Sequence, residues 1–153
     1  MTLAENLVLG RHRESALGAG PLLGRGALES RAATLLAEYD VRPPAPRLKA
    51  AQLSGGNQQK LIAARELTRG ARVLLAAHPT RGVDLGAAEA IHGRLLNERD
   101  AGRAVLLISS DLPEILALSD RVAVMYEGRL THETRPRETD ERTLGLYMTG
   151  RRG

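Results

Sequence analysis

Cysteine is absent from the 153-residue sequence, which excludes disulfides and thiolate chemistry and is compatible with a cytoplasmic home. Phenylalanine and tryptophan are absent as well, and aromatic residues amount to 2% of the chain. A core must therefore be assembled from Leu, Val, Ile and Ala, with few large anchors and modest stability. Lysine occurs only at positions 49 and 60, so the basic charge is almost wholly arginine: 22 Lys and Arg oppose 18 Asp and Glu, a formal charge of +4. The arginines are scattered and no stacking aromatics lie among them, which argues for a solvated surface and against a nucleic-acid interface. No apolar run approaches the roughly 20 residues that span a bilayer as a helix, and the opening residues do not read as a signal peptide. No internal repeat or low-complexity tract is visible. The remainder, 42% hydrophobic and 26% charged, is the balance of an ordinary globular protein with room for one modest core. One domain, or a large piece of one, is expected.

The periodicity changes near position 70. Before it, residues 4–10 read as a short helical piece ended by Gly10, and 18–26 as a Gly-rich loop around Pro21. Residues 29–39 place Ala32, Ala33, Leu35 and Leu36 at helical spacing, and Pro43, Pro44 and Pro46 stop any continuation. Beyond it, residues 73–77 and 104–108 are continuous apolar runs, the pattern of parallel strands covered on both faces. Residues 86–99 between them predict an amphipathic helix with Ala87, Ile91, Leu95 and Leu96 inward, which makes a βαβ unit. A short helix over 112–118 opens on Asp111, with Pro113 and Glu114 in its first turn. A strand over 121–126, a tight turn at Glu127-Gly128-Arg129 and a last helix over 141–148 complete the chain.

Between the two patterns stands Leu53-Ser54-Gly55-Gly56-Asn57-Gln58-Gln59-Lys60. Ser54 suits an N-cap, the two glycines bare the backbone, and an apolar-periodic helix follows over about 58–67. A helix start of that kind points unpaired N–H groups and a positive dipole end outward, a setting suited to a phosphate. Pro79-Thr80-Arg81-Gly82-Val83-Asp84 follows at a fixed distance.

Together these stretches resemble the ATP-binding proteins of ABC transporters, in the LSGGNQQK form typical of importers for sugars and nucleosides. The resemblance runs from about Ala4 to Gly150. It implies an α/β fold, a partial P-loop NTPase domain: a helical subdomain over 1–69 carrying the signature helix, then part of a mostly parallel sheet with flanking helices over 70–153. By the same resemblance Ser54, Gly55, Gly56 and Asn57 would contact the γ-phosphate of ATP in trans, and Asp84 would be the D-loop residue at the dimer interface. Simpler roles exist for two of them, Ser54 as a plain cap and Asp84 as the cap of the next helix.

Several expected groups are missing. A P-loop needs Gly-Lys-Ser/Thr, and here Lys49 precedes Ala50 and Lys60 precedes Leu61. The family's magnesium-ordering Asp and water-activating Glu match Ala77 and His78, and its switch histidine matches Ser110. An alanine cannot hold magnesium's waters, and His78 is a doubtful base without the metal. No catalytic residue and no metal ligand is therefore expected intact, and hydrolysis by this chain alone is not expected. His12, His92 and His132 are isolated in sequence and read as surface residues.

The resemblance implies the C-terminal portion of the second nucleotide-binding half of a tandem importer ATPase. ATP, with magnesium, would be held mainly by a partner half. The remaining partners would be transmembrane permease subunits and, indirectly, a solute-binding protein, with the chain peripheral on the cytoplasmic face of the cell membrane. Alternatives from other classes are an inactive product of a truncated gene and a non-catalytic interaction or nucleic-acid-binding module. An incomplete sheet would also leave the edge beside the 73–77 strand unpaired and apolar.

Overall fold

The computed structural model describes residues 1–10 and 24–150. His12 and most of the 18–26 loop lie outside them. The chain forms two compact units, Met1–Leu74 with Pro79–Ala104, and Leu75–His78 with Val105–Gly153.

The first unit is helical. Helix α1 (Leu3–Leu7) opens on a capping box, in which Thr2 Oγ1 accepts from the Glu5 N–H at 3.2 Å and Glu5 Oε2 accepts from the Thr2 N–H at 2.7 Å. The N–H groups of Leu3 and Ala4 donate to the carbonyls of Leu48 and Pro46, fastening the chain start to the turn after the prolines. Helix α2 (Arg25–Glu38) begins before the expected position, because Gly24 and Gly26 fall in its first turn where glycine costs little. It buries Leu28, Ala32 and Leu36 at four-residue spacing, while Ala33 faces solvent, one position off the buried stripe.

The end of α2 is a Schellman closure. Asp40 adopts a left-handed conformation at φ 49°, its N–H donates to the Ala37 carbonyl, and the Val41 N–H donates to the Leu36 carbonyl at 2.8 Å. Val41 and Leu36 are both fully buried, the apolar contact that accompanies this closure. Helix α3 (Gly55–Leu67) then buries Leu61, Ala64 and Leu67, and helix α4 (Leu85–Asp100) buries Ala87, Ile91 and Leu95, with Leu96 half-buried. Two arginines finish helix ends. Arg103 donates to the Leu67 carbonyl and pairs with Glu98, and Arg94 donates to the Glu38 carbonyl while its guanidinium lies 4.3 Å from the centre of the Tyr39 ring.

Strands β1 (Val73–Ala77) and β2 (Ala104–Ile108) pair with each other. The Ala104 N–H reaches the Arg72 carbonyl and the His78 N–H reaches the Ile108 carbonyl, so the two run parallel, as the βαβ pattern requires. Their burial departs from expectation. Val73, Leu75, Leu106 and Ile108 are 65, 62, 57 and 46% exposed, so one face of this pair is open among the described residues rather than covered. Continuous apolar sequence signals that both faces suit burial, and it does not say what lies on each. No strand other than β2 pairs with β1 among the described residues.

The second unit holds helix α5 (Leu112–Leu118), strands β3 (Val122–Tyr126) and β4 (Arg129–Thr134), and helix α6 (Glu141–Met148). The antiparallel β3–β4 hairpin turns through Glu127 and Gly128 at φ 46° and 76°, the two positive angles that a two-residue hairpin loop demands. Val122, Val124 and Leu144 form its core, lined by Leu112, Ile115, Leu116 and Tyr147. His132 is not the isolated surface residue that the sequence suggested: its ring stacks on Tyr147 at 3.9 Å between centroids. Asp111 and Asp140 cap α5 and α6 through the N–H groups of Glu114 and Thr143.

Candidate functional site

Ser54 sits at the N-cap of α3 with extended backbone, and its carbonyl accepts the first helical hydrogen bond, from the Gln58 N–H at 2.9 Å. Its hydroxyl does not cap the helix. Instead Asn57 Nδ2 donates to Ser54 Oγ at 3.0 Å, and Asn57 Oδ1 accepts from the Arg42 backbone N–H at 2.7 Å. The helix therefore starts three residues earlier than apolar periodicity alone indicated, because Ser54, Gly55 and Gly56 carry no apolar signal. The N–H groups of Gly55, Gly56 and Asn57 have no acceptor within the helix, as at any helix start.

Asp84 shares this place. Its Oδ1 accepts from the Ala87 N–H at 2.9 Å, so it caps α4 as the simpler reading had it. Its other oxygen faces the signature glycines. A Cβ added to Gly56 would stand 3.3 Å from Asp84 Oδ2 and 3.8 Å from Ala87 Cβ, and one added to Gly55 would stand 3.7 Å from the Gly82 carbonyl oxygen. A methyl group at 56 would press on the Asp84 carboxylate by a few tenths of an ångström, and the Pro79–Asp84 loop lies against the start of α3 within one unit.

Sequence reasoning left Lys60, Asp40 and Arg42 without roles. Lys60 Nζ donates to both the Asp40 carbonyl at 3.2 Å and its carboxylate at 2.9 Å, while Arg42 Nε reaches the other carboxylate oxygen at 2.7 Å. These two cations, Lys60 foremost, hold the Asp40 carboxyl below the usual carboxylate range. The available signal was the spacing of Asn57 and Lys60, three residues apart on one helical face.

The other expected positions lie at the ends of β1 and β2, in the second unit. Ala77 and Ser110 are exposed and His78 is half-buried. His78 adopts a left-handed conformation at φ 47°, uncommon for a residue with a side chain. Neither Ala77 nor Ser110 offers a carboxylate or an imidazole, the groups that the resemblance expects at those two positions. Ser109 and Asp111 are engaged locally, the Asp111 N–H donating to Ser109 Oγ at 3.0 Å. Glu114 is buried, and the capping bond in which it takes part is made by its backbone N–H. No group of three or more His, Asp or Glu side chains able to hold a metal occurs among the described residues.

A parallel strand pair joined in sequence by a helix and preceded by a glycine-opened helix is an α/β arrangement. Solved structures agree in fold. An ATP-binding cassette of an ABC transporter superposes with a TM-score of 0.74 over 98% of this chain and 62% of that one, at 24% identity. The dimeric structure of a bacterial ABC transporter cassette gives 0.73 over 89% of this chain and 57% of its own, at 25% identity. No protein-family model matches the chain.

Sequence relatives are more specific. The chain is 47% identical to the guanosine import ATP-binding protein NupO of Bacillus subtilis over 97% of its own length, and 43% identical to the nucleoside import ATP-binding protein NupA of Lactococcus lactis over 98%. It is 41% identical to a ribose import ATP-binding protein of Rubrobacter xylanophilus over 98%. The chain belongs to the ABC transporter ATP-binding proteins, and the relatives it matches are named for nucleoside and sugar import. It spans 29 to 30% of the length of these relatives.

Proposed function

We propose that this chain is the C-terminal portion of the second nucleotide-binding half of a tandem importer ATPase, and that it completes an ATP site in trans. Ser54 would approach the γ-phosphate with its hydroxyl, and Gly55, Gly56 and Asn57 with their backbone N–H groups. Asp84 would mark the dimer-facing loop. The observation that carries the reading is the glycine-opened start of α3, where a Cβ at Gly56 would crowd Asp84, together with non-acidic Ala77 and His78 at the strand end. A helix start of this kind presents N–H groups to a phosphate, and the strand end lacks the acids for hydrolysis.

ATP fits such a surface only at its phosphate end. Magnesium does not fit the strand end, since Ala77 and Ser110 supply no charged oxygen, so no magnesium ligand is assigned to this chain. The P-loop and the metal would come from another nucleotide-binding half. One matched cassette is a dimer bound to ADP and Pi, which supports a paired arrangement. On this reading residues 1–69 form the helical subdomain, which faces permease subunits at the cytoplasmic side of the membrane, and residues 70–153 belong to the ATPase core. A solute-binding protein would act indirectly, and nucleic acid is not a partner. Among the described residues no helix is long and apolar enough to cross a membrane. The transported solute would be a nucleoside or a simple sugar.

The test is ATP hydrolysis by a P-loop-bearing nucleotide-binding half, with and without this chain. The expected result is stimulation by the chain that Ser54→Arg abolishes. A rate that the chain leaves unchanged would refute the reading.

A further inference from the structure

We infer that Asn57 is a positioning residue that fixes the direction of the Ser54 hydroxyl, keeping its proton free for donation to an incoming phosphate. This rests on the trans-site reading above and gives Asn57 a side-chain task distinct from touching the nucleotide.

The inference follows from hydrogen-bond polarity. A backbone N–H can only donate, so the Arg42 N–H at 2.7 Å identifies the facing atom of Asn57 as its carbonyl oxygen. The amide nitrogen is thereby turned toward Ser54 Oγ, 3.0 Å away, and it too can only donate. Ser54 Oγ is therefore an acceptor in this bond, and its own proton is directed elsewhere. A serine capping its helix in the usual way would spend the same lone pair on the N–H of the second or third helical residue. Here that bond is not made, which leaves those amides to a ligand.

The donor that sets the polarity is itself held. Arg42 follows the Schellman closure of α2, whose left-handed residue Asp40 is grasped by Lys60 through both its carbonyl and its carboxylate. The Lys60 side chain is 16% exposed against 53% for Asp40, so the lysine stem is packed while the pair itself reaches the surface. Helix α3 thus supplies both Lys60, which anchors the turn, and Asn57, which reads that turn's N–H. This gives physical work to the last residue of Leu53–Lys60, which the phosphate contact alone does not explain.

The test uses the full chain assembled with a P-loop-bearing half, measuring ATP and ADP affinity for the wild type, Ser54→Ala, Asn57→Ala and the double variant. Ser54→Ala is expected to weaken ATP binding about tenfold, the size of a lost bond to a charged group. Asn57→Ala should weaken ATP three- to tenfold, leave ADP unchanged, and cost nothing further on the Ser54→Ala background. Lys60→Met, which keeps the amide but loosens the turn, should give a smaller loss of ATP affinity that also vanishes when Ser54 is alanine. If Ser54→Ala lowers ATP affinity but Asn57→Ala is silent, additive, or equally damaging to ADP, the positioning role is overturned and the trans site stands. If Ser54→Ala has no effect, the trans site falls and the positioning role falls with it.

Discussion

In the signature stretch, Ser54, Asn57, Gln58 and Lys60 each make a hydrogen bond within the chain, and Gly56 sits where a methyl group would crowd a carboxylate. At the ends of β1 and β2, Ala77 and Ser110 stand in the open, and the His78 backbone N–H donates to the Ile108 carbonyl. One region is organised down to the direction of single donors. The other keeps the strand pairing and none of the acid chemistry. The contrast sets apart two demands that depend on different physics, the positioning of a phosphate and the activation of water. Positioning needs bare amides and fixed rotors, whereas activation needs carboxylates near a metal.

The contrast can be broken most forcefully from beneath. Leu36 is fully buried under the closure that carries Asp40 and Arg42, so Leu36→Ala should cost about 2–5 kcal/mol in urea unfolding and disorder the signature network. Leu144→Ala, in the core of the second unit, should cost a similar amount through a different core. Equal damage to partner stimulation from both substitutions, measured on the folded fraction, would mean that the network is not a local feature.

A smaller effect is expected at Gly56. Gly56→Asp brings a second carboxylate against Asp84, and should lower stability by about 1–2 kcal/mol while abolishing stimulation of a partner half. Retained stimulation would show that close approach at Gly56 is unnecessary. At His78 the left-handed backbone sets the sign. His78→Val should destabilise by about 1 kcal/mol and His78→Gly should be neutral or stabilising by less than that, read from thermal unfolding. The reverse order would mean that the imidazole itself contributes to the fold.

Acid should act gently. The carboxyls of Asp40, Glu29, Asp140 and Glu5 are all lowered, by Lys60 and Arg42, by Arg47, by the Thr143 amide and hydroxyl, and by the Thr2 amide and hydroxyl respectively. A depressed folded value contributes stability above the ordinary carboxylate range near pH 4, lost as pH falls through the lowered values. Unfolding midpoints should thus be level from neutral pH to about 5 and decline below about 4. The decline is small because these groups are exposed and screened. Lys60→Met should shrink the Asp40 share of it. The smallest effect of all is expected from Ala77→Asp, His78→Glu and Ser110→His combined. Restoring the family's residues should leave the chain alone without ATP hydrolysis, since no Gly-Lys-Ser/Thr cradle is present to hold the phosphates.

Element boundaries were legible where caps are chemical. Asp111 with Pro113 places the start of α5 where it is observed. They were misread where glycine leads, since Gly24 and Gly26 open α2, and Gly55 and Gly56 open α3, without an apolar residue to announce either. The motif itself was plain, and so were the non-acidic residues Ala77, His78 and Ser110 at the strand ends. What could not be read was the wiring. That Asn57 bridges Arg42 to Ser54 depends on the turn after α2, fifteen residues away, and no local periodicity encodes it. The stacking of His132 on Tyr147 was hidden in the same way, by the fold of β4 against α6.

The most direct test of the half-site reading is calorimetric titration of the purified chain with Mg-ATP, alone and after mixing with a P-loop-bearing half. The expected result is no saturable binding by the chain alone, and binding in the mixture that is tighter than the P-loop half shows by itself and that depends on Ser54. Saturable binding by the chain alone at micromolar ATP would contradict it, because the phosphates would then have a cradle within these 153 residues.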